Sequence, residues 1–330
     1  MKNQQIVLAK RPFGWVKDTD FRRVESDLPV PGAGEVLVKN AYLSLDPYMR
    51  QRMNDAKSYA QKVELGDVMV GSTVGEVIES NDASFQPGTI VTGSLGWQNY
   101  AVAKVEQLRQ VPSAFPLTAS LGVLGMPGAT AWYGLNEIGA PKAGETVVVS
   151  AAAGAVGSIV GQLAKLKGCR VVGIAGGAAK CKFVVDELGF DACVDYKSAG
   201  FFNALRNAAP AGIDIYFESV GGAVFETVLG MLNPFARIPL CGLISQYNKA
   251  EPYELERLYA VFLYNRIRFQ GFIASDHIAR WPEAFAELSV LLAEGKLKSP
   301  ETVSQGIESA PAAFISMLKG GNTGKQLVRL

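Results

Sequence analysis

The run Ser150-Ala151-Ala152-Ala153-Gly154-Ala155-Val156-Gly157 is the sharpest chemical signal in this chain. It follows an apolar, β-branched stretch at 146–151 and opens a stretch of helical composition at 156–167, the setting in which a glycine turn cradles a dinucleotide pyrophosphate. Gly154 would let the backbone approach the phosphates and Gly157 would let the helix pack close to the strand, while the helix N-terminus supplies amide donors. In G-x-G-x-x-G register Ala152 takes the first glycine position, so the turn alone is matched as well by a tight structural bend.

The second strand of such a unit decides between cofactors. An NAD site usually ends it with an acidic residue for the ribose 2′-hydroxyl. Here the strand 170–175 runs into Ala175-Gly176-Gly177-Ala178-Ala179-Lys180. No carboxylate repels a 2′-phosphate, and Lys180 can reach one; the alternative is a solvated lysine in a first helical turn, where the dipole opposes it. The pattern favours NADPH/NADP+.

Metal chemistry finds few ligands. The four cysteines are Cys169, Cys181, Cys193 and Cys241, with no C-x-x-C among them, and His277 is the one histidine. Residues 1–125 hold neither type, which argues against a dehydrogenase zinc site and against His-based triads. The cysteines read as small buried hydrophobes, free in a reducing compartment. His277, in Ser275-Asp276-His277-Ile278, reads as a capping or surface residue. Tyr247 lies just beyond the end of a strand at 237–241, where its phenol could donate to a substrate carbonyl or serve as an interfacial aromatic.

Positioning these residues takes two kinds of architecture. Before about residue 125, short β-like runs at 5–10, 35–42, 75–79, 89–93 and 99–103 alternate with turns such as Pro31-Gly32-Ala33-Gly34 and Pro87-Gly88. Asp46 reads as an N-cap with Pro47 at the first helical position. Beyond residue 125, strands at 146–151, 170–175, 192–196, 213–218, 237–241 and 267–273 alternate with helical stretches such as 156–167 and 178–188. That is the α/β, doubly wound parallel pattern of a Rossmann domain. The tail, with strands at 301–307 and 325–330 flanking a helix at 310–318, is expected to return to the β-rich domain. The domains predicted are 1–125 with 299–330, and 126–298, with a ligand cleft between them.

The chain has 330 residues, ample for two domains, with 32 basic and 31 acidic side chains. Such balance predicts no affinity for nucleic acid or for an anionic membrane. The apolar run 6–9 is too short for a signal-peptide core, and no stretch approaches a membrane span, which predicts a cytoplasmic protein.

With these pieces in place, the whole chain resembles the zinc-independent branch of the medium-chain dehydrogenase/reductases, and within it the alkenal/one oxidoreductase group. The resemblance rests on Ser44-Leu45-Asp46-Pro47-Tyr48-Met49-Arg50-Gln51-Arg52-Met53, Leu124-Gly125-Met126-Pro127-Gly128-Ala129-Thr130-Ala131, the Ala-Ala-Ala-Gly-Ala-Val-Gly turn, the run from Cys241 to Asn248, and Gly321-Asn322-Thr323-Gly324-Lys325. It implies a GroES-like β-rich domain beside the Rossmann domain. The implied reaction is NADPH-dependent reduction of the C=C bond of an α,β-unsaturated aldehyde or ketone, by hydride transfer from nicotinamide C4 to the β-carbon without metal. The enolate oxygen would be stabilised by Tyr247 and a ribose hydroxyl, with a proton then reaching the α-carbon from water. The resemblance also implies pyrophosphate contacts from Gly154, Ala155 and Val156, and 2′-phosphate and ribose contacts from Lys180 and Tyr196. It puts Met126 and Thr130 near the nicotinamide, a further contact at Asn322, and Tyr48 in the wall of the substrate pocket. Gly157, Gly176, Ser219, Cys241, Ile244, Ser245 and Phe272 complete the implied cofactor set, and a homodimer is implied. Gln51 stands where the family usually has Gly, and Phe217-Glu218-Ser219-Val220-Gly221-Gly222 replaces a more usual Asp-Asn-Val-Gly-Gly. Two other readings share this fold: an NADPH:quinone reductase, and a non-catalytic NADPH-binding protein.

Overall fold

The computed structural model describes residues 2–249 and 258–330. The chain divides into two compact units, Met1–Gly122 with Glu301–Leu330, and Val123–Pro300. The first stretch supplies β1 (Lys2–Leu8), β2 (Phe21–Asp27), β3 (Glu35–Ser44), α1 (Tyr48–Arg52), β4 (Thr73–Ser80), β5 (Ile90–Gly93), β6 (Tyr100–Lys104) and β7 (Arg109–Gln110). The second unit supplies α2 (Met126–Tyr133), β8 (Thr146–Val149), α3 (Ala155–Leu166), β9 (Arg170–Ala175), α4 (Ala178–Asp186), β10 (Ala192–Asp195) and α5 (Phe201–Ala208). It continues with β11 (Ile213–Phe217), α6 (Gly222–Leu229), β12 (Leu232–Leu240), α7 (Leu258–Asn265), β13 (Arg268–Gly271) and α8 (Trp281–Ala293). The tail adds β14 (Glu301–Gln305), α9 (Ala310–Leu318) and β15 (Lys325–Arg329).

In the first unit β3 is the spine, pairing antiparallel with β4, β6 and β15. Its inward residues Val36 and Val38 meet Val77, Val91, Ala101 and Ala103 in one apolar cluster, the alternation a half-covered strand requires. The tail does return here: β14 lies parallel to β15, and β15 places Leu327 opposite Ser44. β2 is absent from the sequence reading because its residues, FRRVESD, bury little beyond Phe21 and offer no apolar stripe.

The helix near Asp46 corrects the predicted capping. α1 begins at Tyr48 with Pro47 in the cap position and no side-chain cap bond. The Asp46 carboxylate instead accepts from Ser44 Oγ and lies 3.0 Å from Lys325 Nζ. A buried ammonium is a stronger partner for a buried carboxylate than a backbone amide.

The second unit is a six-stranded parallel sheet in the order β10-β9-β8-β11-β12-β13. β8 is central: the chain winds outward through β9 and β10, then crosses to the other side through β11, β12 and β13. The order therefore reverses between β8 and β11, and carboxyl ends flanking such a reversal form the crevice where α/β sheets bind ligands. β8 reads as an unbroken apolar strand because both its faces are buried. It stops at Val149, short of the predicted 151, because Ala151 adopts φ 48° and turns the chain. β12 starts earlier than predicted; Phe235 at φ 65° marks an irregularity that hides its continuity.

Candidate functional site

The turn between β8 and α3 is tight and built from small residues. Gly154 is the N-cap of α3, its N–H donating to Ala151 O at 2.8 Å. Gly157 sits so tightly that an added Cβ would lie 2.4 Å from Ala151 O and 3.1 Å from Ala152 Cα. No side chain fits without moving backbone, so the helix start stays close to the strand end. The amides of Ala155 and Val156, in the first turn of α3, have no earlier intrahelical carbonyl to bond and carry the positive end of the dipole.

At the end of β9, Gly176 approaches the Tyr196 ring, and a Cβ there would be 2.9 Å from Tyr196 Cε1. Gly177, at φ 97°, donates its N–H to Asp195 Oδ1 at 2.8 Å, which also accepts Lys197 N–H at 2.9 Å. Lys180 then enters from the first turn of α4. Its ammonium is held below its ordinary pKa, first by burial and then by repulsion from Lys197. The Lys197 ammonium lies 5.9 Å from the Tyr196 ring centroid. Two cations thus converge where a 2′-phosphate is expected, and the only signal for Lys197 in the sequence is its place just after the third strand.

Across the reversal, the loops after β11 and β12 run side by side. Cys241 N–H and Gly242 N–H donate to Glu218 O at 2.8 and 3.2 Å, Ile244 N–H to Ser219 O at 3.1 Å, and Ser245 N–H to Val220 O at 3.0 Å. These bonds gather Ser219, Cys241, Ile244 and Ser245 at one sheet edge. The Cys241 thiol is pushed up to about 12 by burial, so it stays neutral. Ser219 Oγ is buried beside it without an aligned hydrogen bond. Tyr247 curls back: its phenol oxygen accepts Leu243 N–H at 3.1 Å, and Gly242 has no side chain to block it.

Glu218, noted in the sequence only as part of a departure from the family pattern, is the anchor of this edge. Its Oε1 accepts from Ser150 Oγ at 3.1 Å, Gly221 N–H at 3.0 Å and Val220 N–H, and Ser150 Oγ in turn accepts Ser219 N–H at 2.8 Å. The network ties the end of β8 to the end of β11. Burial raises the Glu218 carboxyl above its ordinary pKa; the Tyr216 hydroxyl approaches it but makes no well-aligned hydrogen bond. Only the Gly-Gly sequence that follows hinted at a special turn here.

Three implied cofactor residues use their side chains internally. Thr130 Oγ1 donates back to Met126 O at 2.7 Å within α2. The Phe272 ring packs on Tyr133 and Phe217, with centroids 5.8 and 6.4 Å away. In the first unit, Asn322 Nδ2 donates to Gly324 O at 2.8 Å, shaping the tail turn.

Also in the first unit, Tyr48 opens α1. Burial, then the Asp46 charge, raises its phenol well above the ordinary tyrosine range, so it remains a proton-bearing donor. His277 stacks on Tyr133, with ring centroids 3.8 Å apart. Among the described residues, no group of three or more His, Cys, Asp or Glu is placed to hold a metal ion, and no helix is long and apolar enough to cross a membrane. Two surface hollows, of about 500 and 310 Å³, are lined by other residues altogether.

A parallel Rossmann sheet with a small-residue turn, joined in one chain to an antiparallel β-rich unit, defines a medium-chain dehydrogenase/reductase. Comparison with known proteins agrees. Residues 4–111 match the family model described as the N-terminal domain of oxidoreductase, and residues 155–290 the model described as zinc-binding dehydrogenase. The chain is 49% identical to the NADPH-dependent curcumin reductase of Escherichia coli (strain K12), covering 100% of this chain and 97% of that protein. It is 40% identical to the NADP(+)-dependent 2-alkenal reductase of Nicotiana tabacum, over 99% of this chain and 97% of the other. The crystal structure of CurA in complex with NADPH from Vibrio vulnificus superposes with a TM-score of 0.96 at 51% identity, covering 99% of this chain and 98% of that one. The chain belongs to the zinc-independent medium-chain dehydrogenase/reductase family, in the group that contains these reductases.

Proposed function

We propose that this protein is an NADPH-dependent reductase of the C=C bond of α,β-unsaturated ketones and aldehydes. The observation that carries the reading is the pairing of a side-chain-free helix start at Gly157 with the convergent cations Lys180 and Lys197 at the adjacent strand end. The first accepts a pyrophosphate; the second accepts a 2′-phosphate. Gly154, Ala155, Val156, Gly157, Gly176, Lys180 and Tyr196 would hold the adenine half of the cofactor. Met126, Thr130, Ser219, Cys241, Ile244, Ser245, Phe272 and Asn322 are assigned to its remainder. When bound, the reduced nicotinamide supplies hydride to the β-carbon of the substrate.

The protein's own part is electrostatic. As charge builds on the carbonyl oxygen, Tyr247 donates a hydrogen bond to it, replacing the Lewis acid a metal would provide. Tyr48 lines the pocket as a neutral phenol, because its raised pKa keeps the proton in place. Water returns a proton to the α-carbon. A homodimer of the cytoplasm that acts on small molecules fits the reading.

The test is product analysis after incubation with NADPH and a panel of enones, enals and quinones, on wild type, Tyr247→Phe and Tyr48→Phe. A saturated carbonyl product, with kcat reduced in Tyr247→Phe, supports the proposal. Turnover of quinones alone, or tight NADPH binding with no turnover, replaces it with one of the other two readings.

A further inference from the structure

Two of the four cysteines depart from the buried role expected of them. Cys181 and Cys193 are partly exposed, whereas Cys169 is buried and donates its thiol hydrogen to Lys142 O at 3.4 Å. Cys181 closes the first turn of α4 and Cys193 lies in β10, and the Cys193 thiol donates a hydrogen bond to Cys181 Sγ. The fold thus brings two sulfurs from different elements into contact. Cys193 is also held in place: a Cβ at Gly173 would lie 3.0 Å from its Sγ and 3.0 Å from Val184 Cγ1, so the sulfur sits between β9 and α4.

Around the pair is the corner assigned to the 2′-phosphate. Lys180 immediately precedes Cys181, and Asp195, Tyr196 and Lys197 follow closely on Cys193. Asp195 in turn fixes the Gly177 and Lys197 amides. A covalent link between helix and strand here resets the spacing of the groups on either side. Where cysteines are kept reduced, disulfides from such pairs are transient and redox-sensing.

We propose that Cys181 and Cys193 form a reversible disulfide when a peroxide oxidises them, and that this bond weakens NADPH binding by displacing Lys180 from the 2′-phosphate. The proposal rests on the placement of that phosphate at Lys180 and Tyr196. Burial raises the pKa of both thiols, but the hydrogen bond from Cys193 favours the Cys181 thiolate and keeps the proton on Cys193. Cys181 is therefore the attacking sulfur. It gives up its proton and attacks one peroxide oxygen, breaking the O–O bond; water leaves and a sulfenic acid remains. The Cys193 sulfur then displaces the sulfenic hydroxyl, which departs with the Cys193 proton as a second water. Each sulfur is oxidised by one electron, and each peroxide oxygen is reduced by one.

The experiment treats the purified chain with hydrogen peroxide, maps its cysteine peptides by mass spectrometry, and titrates NADPH and NADH by protein fluorescence. A Cys181–Cys193 cross-link within one chain is expected. The NADPH dissociation constant should rise about tenfold and that of NADH stay nearly unchanged, both effects reversing with dithiothreitol. In a glutathione redox buffer, saturating NADPH should shift the pair toward the dithiol by the same factor, because the coupling is reciprocal. Cys181→Ser and Cys193→Ser should form no cross-link and keep their NADPH affinity under peroxide. Oxidation of either thiol alone to a sulfinic acid, a link between two chains, or a cross-link that leaves NADPH binding unchanged overturns the proposal. A cross-link that weakens NADH and NADPH equally moves the 2′-phosphate away from Lys180 and leaves the dithiol site standing.

Discussion

Lys325 Nζ lies 3.0 Å from Asp46 Oδ1, with the two side chains only 2% and 6% exposed. The ammonium also donates to Leu45 O at 2.6 Å and Gln326 O at 3.1 Å, so its three donors are placed. This pair fastens the tail strand β15 to the turn that launches α1 and Tyr48. Burial lowers the Lys325 pKa while Asp46 raises it in part.

Breaking one partner of such a pair leaves a buried charge uncompensated, at a cost of about 3–5 kcal/mol. Lys325→Met and Asp46→Asn should each destabilise by that order in urea unfolding. The double variant should lose less than the sum of the two. Strict additivity would show that the pair is not coupled.

Lys180 and Lys197 repel each other in the free protein. Either one replaced by Ala should weaken NADPH binding by about 10- to 100-fold, as loss of a charged hydrogen bond does, and leave NADH nearly unchanged. Protein-fluorescence titration with both nucleotides measures this. An equal loss for NADH and NADPH would place the lysines away from the 2′-phosphate.

How much of this was legible in the sequence depended on whether the signal was local. The apolar strand β8 and the tight Gly154–Gly157 turn are each a run of neighbouring residues, so their local structure shows in residue type. The tail's return to β3 was readable because β14 and β15 follow the sixth strand of a pattern already complete. Asp46 was misassigned as a cap because its true partner is 279 residues away in Lys325. Glu218 stood out only as part of a departure from the family pattern, with no role of its own, for the same reason: its importance comes from Ser150, 68 residues earlier, and from amides that only the folded turn directs at it. Residue spacing cannot announce a partner that topology supplies.

Gly161 illustrates a packing constraint equally hidden. An added Cβ would lie 1.8 Å from Phe190 Cζ, so the aromatic ring occupies the space a side chain would take. Gly161→Ala should destabilise by about 1–3 kcal/mol from overpacking, and Phe190→Leu in the same chain should recover part of it. Thermal unfolding of the four proteins tests the pair. Failure of the second substitution to rescue would mean that the helix, not the ring, sets the limit.

Glu218 makes stability depend on pH. Its folded pKa is raised above the ordinary 4.5, mainly by burial, against the pull of the Val220 and Gly221 amides. The folded state therefore holds a proton that the unfolded chain releases near 4.5, and the stabilisation is complete below that pH. As pH rises from there through the folded value, the carboxyl must ionise inside the sheet edge, and this contribution is lost. Glu218→Gln keeps an acceptor for the two amides and cannot ionise, so the variant should lack that decline. Urea unfolding at several pH values across the window should show wild type losing ground to the variant as pH rises. The opposite slope would mean that the amides and Ser150 stabilise the carboxylate more than burial penalises it.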